Sequence, residues 1–498
     1  MNKFFTFLIM AFAALTAQAT DYTDKLVVKV NGMGAEQQAT ISVTEDGDLY
    51  NLNLKNFILM SGDQPMAVGN VEVKGIAPEQ SGDAIFLRAS QDINVTAGDA
   101  EGVNFWMGPM LGQLPVNLTA VIEGDKMHAL ITLDLMSSLE QMIEVHFGSG
   151  LHIPNGGFED WHTSSGSYVE PNAWHSFESG TGWLAGSAGN HISKSEDGRN
   201  GTSCARIFST SKFFGTIIAN GTMTTGRMNA GNMSASHTDN HAYMDISSED
   251  VDGNGDPFYV SLTSRPDSLV LWMQFKQGKT NAAHPYATVS AIITDGTRYQ
   301  DPEDKTYTNV VAKAKNNTIA VTNGQWKRIS IPFEYTTNNV EPKAILITIS
   351  TNADAGQGSD GDEVLVDDLT LVYNGGVTSL SVVDGFAPDK FEYELNEEVD
   401  LDDFEVETDA KAPYVLKSLK EDENGKSAVI TVISADLLTS STYTVNFKVS
   451  TGIDEVNPSE TTSANAYYNL SGMKVATPRQ GQIYIVKQAD GRIVKVCQ

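Results

Sequence analysis

The chain has 498 residues and an apolar fraction of 41%, too long for one hydrophobic core and rich enough to support on the order of three or four. Its 33 basic against 63 acidic residues argue against nucleic acid or an anionic membrane as partner, and leave neutral glycans and divalent cations. Cys204 and Cys497 stand far apart and form neither a disulfide framework nor a metal-ligand spacing, so both thiols are expected to be unpaired.

The first element is residues 1–19. Met1-Asn2-Lys3 leads into an apolar run from Phe4 to Leu15 that ends at Ala17-Gln18-Ala19. This is the pattern of a cleavable signal peptide, since the run is shorter than the ~20 apolar residues a spanning helix needs. No Cys stands at the cleavage point, and no later stretch is long and apolar enough to span a bilayer. The expected product is a secreted protein of the periplasm or the outer cell surface, without a transmembrane segment.

Helical periodicity is nearly absent beyond this point. Short β-branched or alternating runs bounded by Gly, Asn and Asp recur instead, which predicts an all-β protein. In residues 20–148, strands are expected at Leu26–Val30, Ala39–Thr44, Leu49–Leu54, Val71–Ile76, Ile85–Arg88, Val116–Glu123 and Met127–Asp134, with a tight turn at Glu123-Gly124-Asp125-Lys126. Closing such strands into a barrel removes exposed edges. Asn31-Gly32-Met33-Gly34, Leu52–Phe57, the closing hairpin and Ile143–Phe147 carry a resemblance to the calycin-like β-barrel domain. The resemblance implies a cavity for a small apolar ligand, against which stands a barrel filled by its own side chains.

Residues 153–373 open with Pro154–Trp161 and close with Val364–Leu371. Through Phe158–Trp161, Pro171–Trp174, Thr225-Gly226-Arg227, Gly255–Phe258, Pro266–Leu269 and Gly324-Gln325-Trp326, this segment resembles a carbohydrate metabolism domain, a galactose-binding-like jelly-roll β-sandwich. Residues 377–450 have the pattern of a small Ig-like or cadherin-like β-sandwich ending in Tyr443–Val449, and the acidic stretch Asn396–Asp409 reads as a solvated face. After the polar linker 453–462, residues 463–498 are similar to C-terminal sorting modules through Tyr468–Gly472, Gly481–Val486 and Gly491-Arg492.

A pyranose packs its apolar face on an aromatic ring while polar neighbours take its hydroxyls. Trp161, His162, Tyr168, Trp174, His175 and Trp183 supply that mixture, mostly within a Gly/Ser-rich stretch, with Trp174 and Trp183 the first choices; Trp272 and Trp326 read as strand residues packing the sandwich. Structural calcium is expected between the ends of the jelly roll at Glu159 and Asp367, because Leu365, Asp367, Leu369 and Leu371 alternate onto one face and a carboxylate on the core face needs a partner. The competing reading is a carboxylate satisfied by hydrogen bonds. Asp250–Asp256 opens like an EF-hand loop but has Ser261 at the twelfth position, which favours an ordinary acidic turn.

These features lead to a secreted or surface carbohydrate-binding protein whose partner is a glycan. The alternatives are a glycoside hydrolase using a carboxylate pair drawn from Asp160, Glu170, Glu178 and Asp295, or a non-catalytic adhesive protein.

Overall fold

The structure is a computed structural model that describes residues 19–30, 33–61, 64–136, 140–199, 203–212, 214–215, 217–337, 339–422, 425–448, 466–470, 472–488 and 492–497. The segment 1–18, expected to be a signal peptide, Asn31-Gly32, the linker 453–462, Ser471 and Gly491 lie outside the described residues. Among those described, the chain is nearly all β, its helices being single turns of three or four residues. No helix among them is long and apolar enough to cross a membrane.

Nine strands build the N-terminal domain: β1 (Thr20–Val30), β2 (Met33–Asp46), β3 (Leu49–Ser61), β4 (Gln64–Ile76), β5 (Pro78–Ser81), β6 (Ala84–Asn94), β7 (Gln113–Glu123), β8 (Lys126–Leu135) and β9 (Gln141–Phe147). They form one antiparallel sheet in the order β4-β3-β2-β1-β9-β8-β7-β6-β5. The sheet curls on itself. Asn70 of β4 and Thr96, just past β6, exchange backbone hydrogen bonds of 2.9 and 3.2 Å, and the Gln91 side chain donates to the Lys74 carbonyl. Gly69 makes this approach feasible, because a Cβ there would stand 2.1 Å from the Thr96 carbonyl oxygen and its φ is +127°. Period-2 alternation turns Leu26, Val28, Ile41, Val43, Leu118, Ala120 and Ile131 inward into one continuous apolar cluster.

The outward face of the same strands carries a second, smaller cluster. Phe86, Val121 and Leu130 pack with Leu416, Ile433 and Leu437, and Tyr414 sets its ring edge-on to Phe86 at 4.9 Å. The Tyr414 hydroxyl donates to Glu123 at 3.0 Å, and the Val415 amide donates to Ser81 Oγ at 3.1 Å.

The central domain is a β-sandwich. One sheet orders Ile192–Ser195, Cys204–Phe208, Glu363–Val372, Ser268–Lys276 and Lys327–Pro332; the facing sheet orders Thr222–Thr224, Ala344–Ser350, Ala287–Thr294, Val310–Ile319 and Glu334–Tyr335. Leu269, Leu271, Met273 and Phe275 from the first meet Val289, Ala291, Ile345 and Ile347 from the second. A third, short sheet of Arg227–Ala230, Asn240–Met244 and Tyr299–Asp301 covers part of the facing sheet's outer side through Met228, Met244, Ile292 and Leu346.

The closing strand departs from simple alternation. Val364 and Val366 face the core, then the register slips where Val270 pairs Thr370 and Trp272 pairs Asp367, and Leu369 and Leu371 face the core beyond it. Asp368 sits in this bulge with φ of +49°. The expectation that Leu365, Asp367, Leu369 and Leu371 share the core face is therefore overturned: the extra residue shifts the core face from even to odd numbers. Trp272 lies on the outer side with Asp367, half-buried beneath the Arg199 guanidinium at 3.8 Å, so it does not pack between the sheets as expected. Cys204 is buried and Cys497 exposed, and both are free thiols.

The chain falls into two compact units, the first comprising 1–378, 407–416 and 431–441, the second 379–406, 417–430 and 442–498. In the second, Glu392–Leu395 pairs in parallel with the end of Ser440–Phe447, and the tail forms a four-stranded sheet in the order Lys474–Val475, Ala466–Tyr468, Ile483–Lys487, Ile493–Cys497.

Candidate functional site

The aromatic residues singled out in the sequence separate into buried and exposed sets. Trp174 is fully buried in the sandwich core, 5.3 Å from the Phe158 ring, and its Nε1 donates to the Pro154 carbonyl at 3.2 Å. The reason is the turn at Pro171–Trp174. Ala173 adopts φ of +66°, its amide is held by Asp256 Oδ2 at 2.8 Å, and the turn points the next ring inward. Composition suggested a surface loop, but the segment dips into the core, and Trp174 is a packing residue rather than a sugar platform.

His175 needs the same correction. Its backbone exchanges hydrogen bonds of 2.8 and 2.9 Å with Thr224, and its fully buried ring packs on Phe258 at 4.5 Å. Trp161 is half-buried against the same core, with Nε1 donating to the Phe158 carbonyl at 2.7 Å. Tyr168 and Trp183 present their rings to solvent. Trp183 is 68% exposed, while its Nε1 is fixed by the Gly231 carbonyl at 2.7 Å.

The concave site lies elsewhere, on the outer side of the sandwich's second sheet where the short third sheet leaves it uncovered. Along Ala344–Ser350, Ile345, Ile347 and Ile349 face the core while Thr348 and Ser350 face outward. Thr288 and Ser290 do the same beside Val289 and Ala291, and Thr222 beside Met223. With Lys315 and Asn317, these residues floor a cleft of about 640 Å³. Phe177, Leu184, Met228 and Met233 give it apolar walls, and Asn232, Asn240, His241 and Asn352 line it as polar groups.

The floor is ordered but not saturated. Thr288 Oγ1 donates to Asn317 Oδ1 at 2.7 Å, and His241 Nδ1 is bound to the Thr238 carbonyl at 2.8 Å. Ser290 Oγ and His241 Nε2 have no hydrogen-bond partner. Burial, first of all, lowers the His241 pKa, which keeps the ring neutral and leaves Nε2 an acceptor. Trp183 is tied to Gly231, next in sequence to the lining residues Asn232 and Met233. Sequence reasoning missed this surface because its signal is a set of hydroxyls at alternate positions of strands whose other face is apolar.

The expected calcium carboxylates are both held by local donors. Asp367 is 1% exposed and accepts from the Arg199 amide at 2.6 Å and the Asp368 amide at 2.8 Å. Glu159 accepts from the Ser203 amide at 3.2 Å and the Ser203 hydroxyl at 3.1 Å. Burial, opposed by those two amides and reinforced by the charges of Asp368 and Glu159, pushes the Asp367 pKa up to about 6. Asn155, Phe158 and Asp368, which flank the two carboxylates in sequence, all have positive φ.

The carboxylates considered for hydrolysis do not line the cleft. Glu170 is buried and takes the Ser176 amide and hydroxyl at 2.5 Å, whereas Asp295 caps a turn through Thr297. Burial and then the Glu159 charge raise the Asp160 pKa; burial and then Glu170 raise that of Glu178. In the EF-hand-like loop, Asp250 turns away to pair with Arg227 at 2.9 Å, while Asp252 Oδ1 accepts the Asn254 and Asp256 amides at 2.8 Å. An acidic turn results.

Residues 19–149 match the family described as the calycin-like β-barrel domain, in agreement with the limits read from the sequence. No curated protein matches the chain. Among solved structures, one from Bacteroides thetaiotaomicron, provisionally described as a glycoside hydrolase, is 14% identical with a TM-score of 0.36, covering 64% of this chain and 92% of its own. A second, of carbohydrate-binding modules from the β-sandwich superfamily, is 9% identical with a TM-score of 0.20, covering 72% of this chain and 97% of its own. Likenesses this loose leave the description of the sandwich resting on its own strands.

Proposed function

We propose that the chain is an exported glycan-binding protein and that the sugar lies in the cleft on the outer face of the sandwich. The observation that carries this reading is the floor of Thr222, Thr288, Ser290, Thr348 and Ser350, hydroxyls spaced across neighbouring strands beside an apolar wall. Such a surface offers directed hydrogen bonds to sugar hydroxyls and a dry flank for the ring's apolar face. Export rests on the signal-like segment 1–19, and surface display on the sorting-like tail.

The test is a glycan panel followed by titration calorimetry on the hit. Thr348→Val removes a floor hydroxyl at constant shape and is expected to weaken binding by about 1 kcal/mol, roughly fivefold in Kd, with thermal unfolding unchanged. Asn317→Ala is expected to act in the same direction. Affinity unmoved by both, in variants that melt normally, would place the sugar elsewhere.

Glu159 and Asp367 support a structural calcium ion in this reading, since the buried Asp367 carboxylate, disfavoured further by the Glu159 charge at a strained chain junction, is relieved by a cation. Added Ca²⁺ is expected to raise the melting temperature of the stripped protein, and Asp367→Asn to abolish that rise. Equal melting with calcium and with chelator, at matched ionic strength, would count against the ion.

A further inference from the structure

Three side chains meet between the hairpin Trp161–Pro171 and the loop 250–257, and a fourth, His175, stands against one of them. His162 comes from the first strand of the hairpin, His175 from the segment after the Ala173 turn, and Asp252 and Asp256 from the acidic loop. One ligand-capable atom each of His162, Asp252 and Asp256 lies within 4.8 Å of the other two. Asp252 Oδ2 is 3.2 Å from His162 Nε2 and 3.4 Å from His175 Nε2. The side chains of His175 and Asp252 are fully buried, and that of His162 is 8% exposed.

The outer atoms of His162, Asp252 and Asp256 are hydrogen-bonded, whereas the inner atoms and both ring nitrogens of His175 are not. His162 Nδ1 is paired with Asn172 Oδ1 at 3.1 Å, which fixes the tautomer with Nδ1–H outward and the Nε2 lone pair toward Asp252. Asp252 Oδ1 accepts two amides, and Asp256 Oδ2 accepts the Ala173 amide and the Asn254 side chain at 2.8 and 2.9 Å. The inner atoms, His162 Nε2, His175 Nε2 and Asp252 Oδ2, make no hydrogen bond despite their closeness. Buried polar atoms are rarely left so, and His162 Nε2 and Asp252 Oδ2, which face each other beside Asp256, call for a shared partner.

A cation fits the spacing. Bonds of about 2.0–2.1 Å from a four-coordinate zinc-type ion place neighbouring ligand atoms about 3.3–3.4 Å apart, close to the 3.2 Å between His162 Nε2 and Asp252 Oδ2. The imidazole of His162 selects against calcium, which takes oxygen ligands, and toward zinc or a neighbouring first-row divalent metal. Asn172 then stands where the outer partner of a metal-bound histidine is usually found.

We infer that His162 Nε2, Asp252 Oδ2 and the Asp256 carboxylate are the protein ligands of a site for a zinc-type divalent cation that ties the hairpin to the loop. This site is separate from the Glu159 and Asp367 pair and from the cleft.

The experiment uses the full exported chain, without a histidine affinity tag, stripped with chelator and titrated with Zn²⁺ and Co²⁺. One equivalent of tight Zn²⁺ binding, a raised melting temperature and a visible Co²⁺ band of four-coordinate intensity are expected. Asn172→Ala should weaken binding about 10- to 100-fold by freeing the His162 ring. His162→Ala should abolish the Co²⁺ band while leaving any Ca²⁺-induced stabilisation intact. His162 is the least buried of the histidine pair, and the wild-type titration stands if the variant fails to fold. A six-coordinate Co²⁺ spectrum, no tight equivalent in the wild type, or a folded His162→Ala that binds as before would each overturn the site; the first two would leave a protonated histidine paired with Asp252.

Discussion

Replacing Trp174 with alanine is expected to cost about 3–5 kcal/mol of stability, the range for emptying a large aromatic site in a packed core. The ring is among the largest fully buried side chains and touches a cluster that both sheets of the sandwich share. Its Nε1 partner, the Pro154 carbonyl, would be left without a donor, which adds to the loss. Trp183→Ala should behave differently, with little change in melting, because that ring is 68% exposed. Urea unfolding followed by fluorescence and circular dichroism distinguishes the two. A Trp174→Ala protein that unfolds within about 1 kcal/mol of wild type would show that the core closes over the gap, contrary to close packing.

Acid lability is the second large effect expected. His152 lies where the chain leaves the barrel, with its ring 5.3 Å from that of His146. Burial, then the neighbouring His146, Lys29 and His128, lowers the His152 pKa to about 3; burial likewise lowers those of His146 and His128. Asp24, Glu144 and Asp436 act in the opposite sense on His128 and His146, with smaller effect than burial. A histidine held neutral in the folded state stabilises fully above its unfolded pKa of about 6.5 and loses that contribution as the pH falls toward 3. At pH 5 the loss is about 2 kcal/mol for one such group. His152→Gln, neutral at every pH, should flatten stability between pH 6.5 and 5 by that amount. An unchanged acid limb in this variant would show that His152 is not the group that resists protonation.

Much of the architecture is visible in the sequence because strands announce themselves locally. The alternation of Leu26 to Val30, the turn at Glu123–Lys126 and the runs of Ile and Val need no partner to be read. The closing strand shows where this stops. One left-handed residue, Asp368, reverses which side of the strand faces the core, and nothing in the run Val366–Leu369 marks it. The site was less legible still. Thr222, Ser290, Asn317 and Thr348 come from four strands and become neighbours only through sheet order, and His162 lies 90 positions from Asp252. Composition misplaced Trp174 because glycine and serine permit a chain to turn at the surface and equally to turn into the core.

The apolar strip on the barrel's outer wall has a practical consequence. Phe86, Val121 and Leu130 are covered by Tyr414, Leu416, Ile433 and Leu437, more than 250 residues downstream, so the domain limits drawn from sequence do not coincide with a surface that water can face. Expressed as residues 20–148 alone, the barrel would present an apolar patch in which Phe86 and Val121 are cross-strand partners and Leu130 lies diagonal to Val121, two residues from its partner His128. Self-association of that fragment is the expected behaviour, and recoding the strip as Phe86→Thr, Val121→Thr and Leu130→Thr is the route to a barrel that stands by itself in solution.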